Sequence, residues 1–101
     1  FSITSDPKKA AENADVLLTD VWASMGQESE SKERHIAFKG YQINDDIMAL
    51  ANKDAIVMHC LPAHREEEIT AKVFEEHAKE IFEEAENRLH AQKAVMVKLM
   101  G

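Results

Sequence analysis

Cysteine is nearly absent. Cys60 stands alone among 101 residues, which excludes an intrachain disulfide framework and favours a reducing, cytosol-like compartment. Long apolar runs are missing too, and no stretch approaches the roughly 20 residues that a bilayer-crossing helix needs. The opening Phe-Ser-Ile-Thr-Ser has neither the basic start nor the apolar core of a signal peptide. Positive charge is scarce: 12 Lys and Arg stand against 19 Asp and Glu, a formal charge of −7. Nucleic acid is a poor partner for such a surface, because binding it relies on cations that neutralise phosphates. What is present, 45% hydrophobic and 31% charged residues, suits one small globular domain near the low end of core size. A chain opening on Phe1 rather than Met is expected to be a fragment or a processed piece.

Helix and strand signals alternate. Asp6-Pro7 is an N-cap with proline in the first helical position, opening a predicted helix to about residue 14. Residues 14–19 read as a buried strand, continuously apolar as parallel strands tend to be. The polar stretch 26–32 reads as a loop, with a helix over 33–38 stopped by Gly40. Asn44 or Asp45 caps a helix to about residue 51, and 55–59 is a second strand. A helix is predicted over 67–76, a short third strand over 79–83, and a final helix over 87–100. This alternation argues an α/β fold: a parallel sheet flanked by helices, Rossmann-like and incomplete. Residues 1–4 read as a strand severed from whatever precedes it. The last helix is apolar on more than one side, and such surface usually finds a partner.

Three apolar runs end in ionisable residues, as site-bearing strands do at the carboxyl edge of an open α/β sheet. The first island is Thr19-Asp20-Val21-Trp22-Ala23-Ser24-Met25-Gly26. Asp20 can accept from an ammonium group, Ser24 offers a hydroxyl, Met25 flexible apolar contact, and Gly26 backbone freedom. Equally, Asp20 could cap a turn and Trp22 anchor a core. The second island is His59-Cys60-Leu61-Pro62-Ala63-His64-Arg65. Here Cys60 could be a nucleophile if His59, His64 or Arg65 lowered its pKa, or a small buried hydrophobe. Zinc on His59, Cys60 and His64 is disfavoured, because no fourth ligand or standard spacing accompanies them. The third is Glu84-Ala85-Glu86-Asn87-Arg88-Leu89-His90. At a helix start, Arg88 could grip an anionic oxygen bidentately, helped by the positive helix end; the alternative is a surface pair with Glu84 or Glu86. The run 66–68 and the acidic 83–86 read as solvated surface, and His35, His77 and His90 as surface or packing residues.

Together, Asp-Val-Trp-Ala-Ser-Met-Gly (20–26), His-Cys-Leu-Pro (59–62) and Glu-Asn-Arg-Leu-His-Ala-Gln-Lys-Ala (86–94) resemble, in that order, the ornithine-binding half of the ornithine carbamoyltransferases. The resemblance covers nearly the whole chain and implies residues 1–101 to be a fragment of the ornithine-binding domain, without the carbamoyl-phosphate-binding domain. It implies carbamoyl transfer from carbamoyl phosphate to the δ-amine of L-ornithine, giving citrulline and phosphate, with no metal or organic cofactor. In that scheme Asp20, Ser24 and Met25 hold ornithine. Cys60 and the Leu61 carbonyl sit at the reaction centre without a covalent intermediate, Arg88 holds the carbamoyl side, and Leu61–Pro62 is a candidate cis bond.

The family's Ser-x-Arg-Thr-Arg phosphate grip and His-Pro-x-Gln motif are not in these 101 residues, so the isolated chain is expected to be inactive. The resemblance further implies a missing N-terminal domain as partner, a homo-oligomer (a trimer in the whole family member, a possible dimer of the fragment) and no membrane or nucleic-acid partner. It implies a cytoplasmic location, or the mitochondrial matrix in an animal, and a place in arginine biosynthesis or the urea cycle. The alternative is a self-sufficient α/β module for binding or self-assembly, which would bury the apolar last helix alone or in a homodimer.

Overall fold

The computed structural model describes residues 1–23, 26 and 28–101; the expectations for Ser24 and Met25 lie outside these. Helix α1, Pro7–Ala11, opens as predicted, with the Asp6 side chain accepting from the Lys8 N–H. It ends earlier than expected because Asn13 takes a left-handed φ of 58°, a region asparagine tolerates, and turns its N–H to the Leu50 carbonyl. Strand β1, Val16–Thr19, follows. A 3₁₀ turn at Glu28–Glu30 leads into α2, Ser31–Ala37. Gly40 stops that run at φ 96°. Helix α3, Asp45–Leu50, is capped by Asn44, whose side chain accepts from the Ile47 N–H at 3.0 Å. Strand β2, Ile56–His59, then pairs parallel with β1.

The predicted helix over 67–76 begins later, as α4, Ala71–Glu76, capped by Thr70. A tertiary pairing displaces its first turn. Ile43 donates to the Glu68 carbonyl and accepts from the Thr70 N–H, so Ile69 bridges to Ile43 in extended form and is fully buried. The third strand predicted over 79–83 is not one. Those residues open α5, a continuous helix from Ala78 to Met100, and the final helix therefore starts well before Asn87. Ala, Lys and Glu on both sides of Ile81-Phe82 favour helix, and two adjacent apolar residues set no strand period. Among the described residues the sheet thus has two strands, and residues 1–4 form none.

Register explains the layers. Leu17 pairs with Val57 and Thr19 with His59, while Val16 pairs with Ile56 and Leu18 with Met58. The first set faces α4 and α5, where Ile43, Val57, Ile69, Val73, Phe74 and Ile81 make the core. Burying one such aliphatic side chain contributes roughly 1.5–3 kcal/mol. The second set is open, with Val16, Leu18 and Ile56 exposed. Helix α5 crosses β2 with its first turns and is exposed from residue 85 onward. The architecture remains α/β, a parallel sheet with helices against it.

Candidate active site

Because β1 and β2 run parallel with Thr19 beside His59, the residues that follow them, Asp20 and Cys60, leave the sheet side by side. The Cys60 thiol donates to Asp20 Oδ1 at 3.0 Å, and the same oxygen accepts the Val21 N–H at 2.7 Å. Asp20 therefore caps its own turn and receives the thiol. These two bonds hold its carboxyl below the usual carboxylate range. Desolvation, then the hydrogen bond and charge of Asp20, push the Cys60 thiol up to about 11, with Glu84 adding to the effect.

That corrects two readings of Cys60. Its residue is exposed, so it is no buried hydrophobe. Its neighbours are carboxylates, so the thiol stays protonated at neutral pH and is no poised nucleophile. Two of the three groups that could lower its pKa are engaged elsewhere: Arg65 pairs with Glu75 and lies 5.3 Å over the Phe74 ring, and the His59 ring is buried against Glu68.

His59 is fully buried, with Nε2 2.7 Å from Glu68 Oε1. Its Nδ1 accepts the Leu61 N–H at 2.8 Å, which assigns the proton to Nε2 and makes that atom the donor to Glu68. Glu68 Oε1 also accepts the His64 N–H at 2.7 Å, while Oε2 is buried without a partner among the described residues. The acidic run 66–68 reads as solvated surface, but Glu68 is fully buried. The only sequence signal for it was indirect: a histidine ending an apolar strand needs an acceptor. The His59 ring in turn fixes Leu61 at φ 59°, next to a cis Leu61–Pro62 bond. A left-handed leucine costs about 1–2 kcal/mol, and the Nδ1 hydrogen bond offsets it.

Beyond Asp20 the chain is pinned by Trp22, stacked on Phe38 at 6.3 Å and edge-on to His35 at 5.4 Å. Gly26 takes a φ of 88°, a conformation closed to most residues. A cavity of about 550 Å³ opens beside β1, with Asp20, Val21, Trp22 and Tyr41 in its lining.

Arg88 is not at a helix start. It lies roughly three turns into α5, so no helix N-terminus acts on it. The alternative, a surface pair with Glu84, is absent as well, since Glu84 Oε2 accepts the His59 N–H at 2.9 Å. Arg88 is exposed, on the face of α5 that carries Ile81 and Glu84 past the end of β2. The zinc set His59, Cys60 and His64 does not assemble. Among the described residues only His64, Glu67 and Glu68 bring ligand atoms within 4.8 Å of one another, and Glu67 and Glu68 are already bonded to His35 and His59.

Two parallel strands ending side by side in ionisable residues, with a long helix across them, define a Rossmann-like α/β module. The chain belongs to the aspartate/ornithine carbamoyltransferase family: the family model for the Asp/Orn-binding domain matches residues 1–99. An ornithine carbamoyltransferase of Geobacter metallireducens is 60% identical over 100 residues, covering 99% of this chain and 33% of that protein. One from Archaeoglobus fulgidus is 55% identical over 96 residues, 95% of this chain and 31% of that protein. The crystal structure of anabolic ornithine carbamoyltransferase from Campylobacter jejuni superposes with a TM-score of 0.90 at 46% identity, over 95% of this chain and 32% of that one. The chain thus spans about a third of the length of the curated relatives it matches.

Proposed function

We propose that these residues form the ornithine side of an ornithine carbamoyltransferase, the complete enzyme transferring a carbamoyl group from carbamoyl phosphate to the δ-amine of L-ornithine. The observation that carries this reading is the Asp20–Cys60 pair at neighbouring strand ends. An ionised Asp20 attracts a δ-ammonium and is the acceptor for the proton that must leave before attack, while the protonated Cys60 thiol hydrogen-bonds to it. Cys60 works as a hydrogen-bonding thiol rather than through a covalent intermediate. The Leu61 carbonyl, in the turn that His59 and Glu68 fix, accepts from the same amine. Ser24, Met25 and Gly26 close over the substrate, and Arg88 stabilises the carbamoyl oxygen. The catalysis is largely positioning and electrostatics, with water kept out by closure, and no metal or organic cofactor is required.

On this reading the phosphate grip comes from a further domain, which docks on the exposed apolar surface of the sheet and α5, in a cytoplasmic homo-oligomer. No helix among the described residues is long and apolar enough to cross a membrane. The test is acceptor selection by the complete gene product with carbamoyl phosphate. L-ornithine should be carbamoylated at least about 10²-fold more efficiently than L-aspartate, putrescine or N-acetylornithine. A preference for any of these others overturns the ornithine assignment.

A further inference from the structure

Glu84 is a feature the mechanism above does not use. It sits in the second turn of α5, half-buried, and turns back onto the sheet to take the backbone N–H of His59 through Oε2 at 2.9 Å. That N–H belongs to the last residue of β2, immediately before Cys60. Four residues along the same helical face stands Arg88. A glutamate four positions N-terminal to a cation on an exposed helix ordinarily pairs with it, as Glu30 lies 3.0 Å from Arg34 in this same chain. At Glu84 the pairing does not form. The carboxylate is held by the strand end, and the Arg88 guanidinium has no hydrogen bond or ion pair among the described residues.

We propose that Glu84 is a positioning residue that latches α5 to the end of β2 through the His59 N–H and thereby leaves the Arg88 fork free for the carbamoyl substrate. The proposal rests on the carbamoyl-transfer reading and deepens it. One bond does two things. It fixes the height of α5 against the turn that carries Cys60 and Leu61, so that Arg88 and Cys60 keep one spacing. It also removes the carboxylate best placed to neutralise Arg88. Without the latch, a carboxylate at this position would be free to swing one turn along the helix and compete with the substrate for the guanidinium.

The test uses the complete gene product and separates the hydrogen bond from the charge. Glu84→Gln keeps a carbonyl oxygen for the His59 N–H; Glu84→Ala removes it; Glu84→Asp keeps the charge on a shorter arm. Expected are a rise of about tenfold in KM for carbamoyl phosphate in Glu84→Ala and in Glu84→Asp, the scale of one lost charge-assisted hydrogen bond, with Glu84→Gln within about twofold of wild type. Amide exchange at His59 should accelerate in Glu84→Ala and Glu84→Asp and stay unchanged in Glu84→Gln. The Cys60 thiol should titrate below its wild-type value in Glu84→Gln while His59 exchange stays unchanged, a combination that loss of folding would not give. Should Glu84→Ala fail to fold, Glu84→Asp and Glu84→Gln still decide the matter. Unchanged His59 exchange in Glu84→Asp, or Glu84→Gln as impaired as Glu84→Asp, overturns the latch. If the wild-type product makes no citrulline, the carbamoyl-transfer reading falls, whereas the exchange measurement still reports on the latch itself.

Discussion

Opposite shifts at two touching groups give the candidate site its pH behaviour. Cys60 is held above the 9.0 of an ordinary thiol, at about 11, so the folded protein keeps this proton longer than the unfolded chain. Its contribution to stability is complete below about pH 9 and is lost as pH rises through about 11. Asp20 is shifted the other way, below 3.8, so its contribution is present above pH 3.8 and is lost as pH falls through the lower, folded value. Alkylation of Cys60 by iodoacetamide should therefore rise with a midpoint near pH 11, and Asp20→Asn should move that midpoint down. A wild-type midpoint at or below pH 9 contradicts the pairing. His35 is a second case. Its Nδ1 lies 2.6 Å from the Ser31 carbonyl and its Nε2 2.9 Å from Glu67 Oε1. Two acceptors demand a proton on each nitrogen, and the pKa is raised accordingly, first by Ser31 and then by Glu67. The contact of α2 with residue 67 should be fully formed below pH 6.5 and loosen as pH rises through the raised value. An NMR titration of the His35 ring showing a pKa at or below 6.5 would count against it.

Among the elements, local signals were legible where a cap or a strand end announced itself. The Asp6 and Asn44 caps stand where the sequence puts them, as do the two strand ends that bring Asp20 and Cys60 together. Their chemistry is written within a few residues. Glu68 and Arg88 depend on distant events. The Ile43–Ile69 bridge pulls Glu68 inward, and nothing in Glu-Glu-Glu-Ile distinguishes which glutamate is buried. Glu-Ile-Phe-Glu carries too short an apolar run to choose its period, so the sequence puts Arg88 at a helix start, whereas the helix begins at Ala78. Ile81 is fully buried in the core while Val97, on the same helix, is exposed. In urea denaturation of the 101-residue chain, Ile81→Ala should cost about 2–5 kcal/mol and Thr70→Ala about 1 kcal/mol. Val97→Ala should fall within about 0.5 kcal/mol of zero. Comparable losses at positions 81 and 97 would mean that α5 packs differently.

For the molecule as a whole, the core lies on one side of the sheet and apolar surface is left on the other and along α5, where Leu89, Val95, Met96, Val97, Leu99 and Met100 are exposed. Contiguous surface of this kind associates in water. The 101-residue chain alone should therefore form dimers or larger species in light scattering at micromolar concentration, and should make no citrulline.

The central claim is that Asp20 and Cys60, adjacent at the ends of β1 and β2, handle the amine in carbamoyl transfer to ornithine. Its most direct test is the steady-state rate of citrulline formation by the complete gene product, compared with Cys60→Ala and Asp20→Asn. The account predicts that each substitution lowers kcat by about 10²-fold or more, and that the double variant is little worse than either single one, because the two side chains act as a pair. Near-wild-type kcat in both single variants would contradict it.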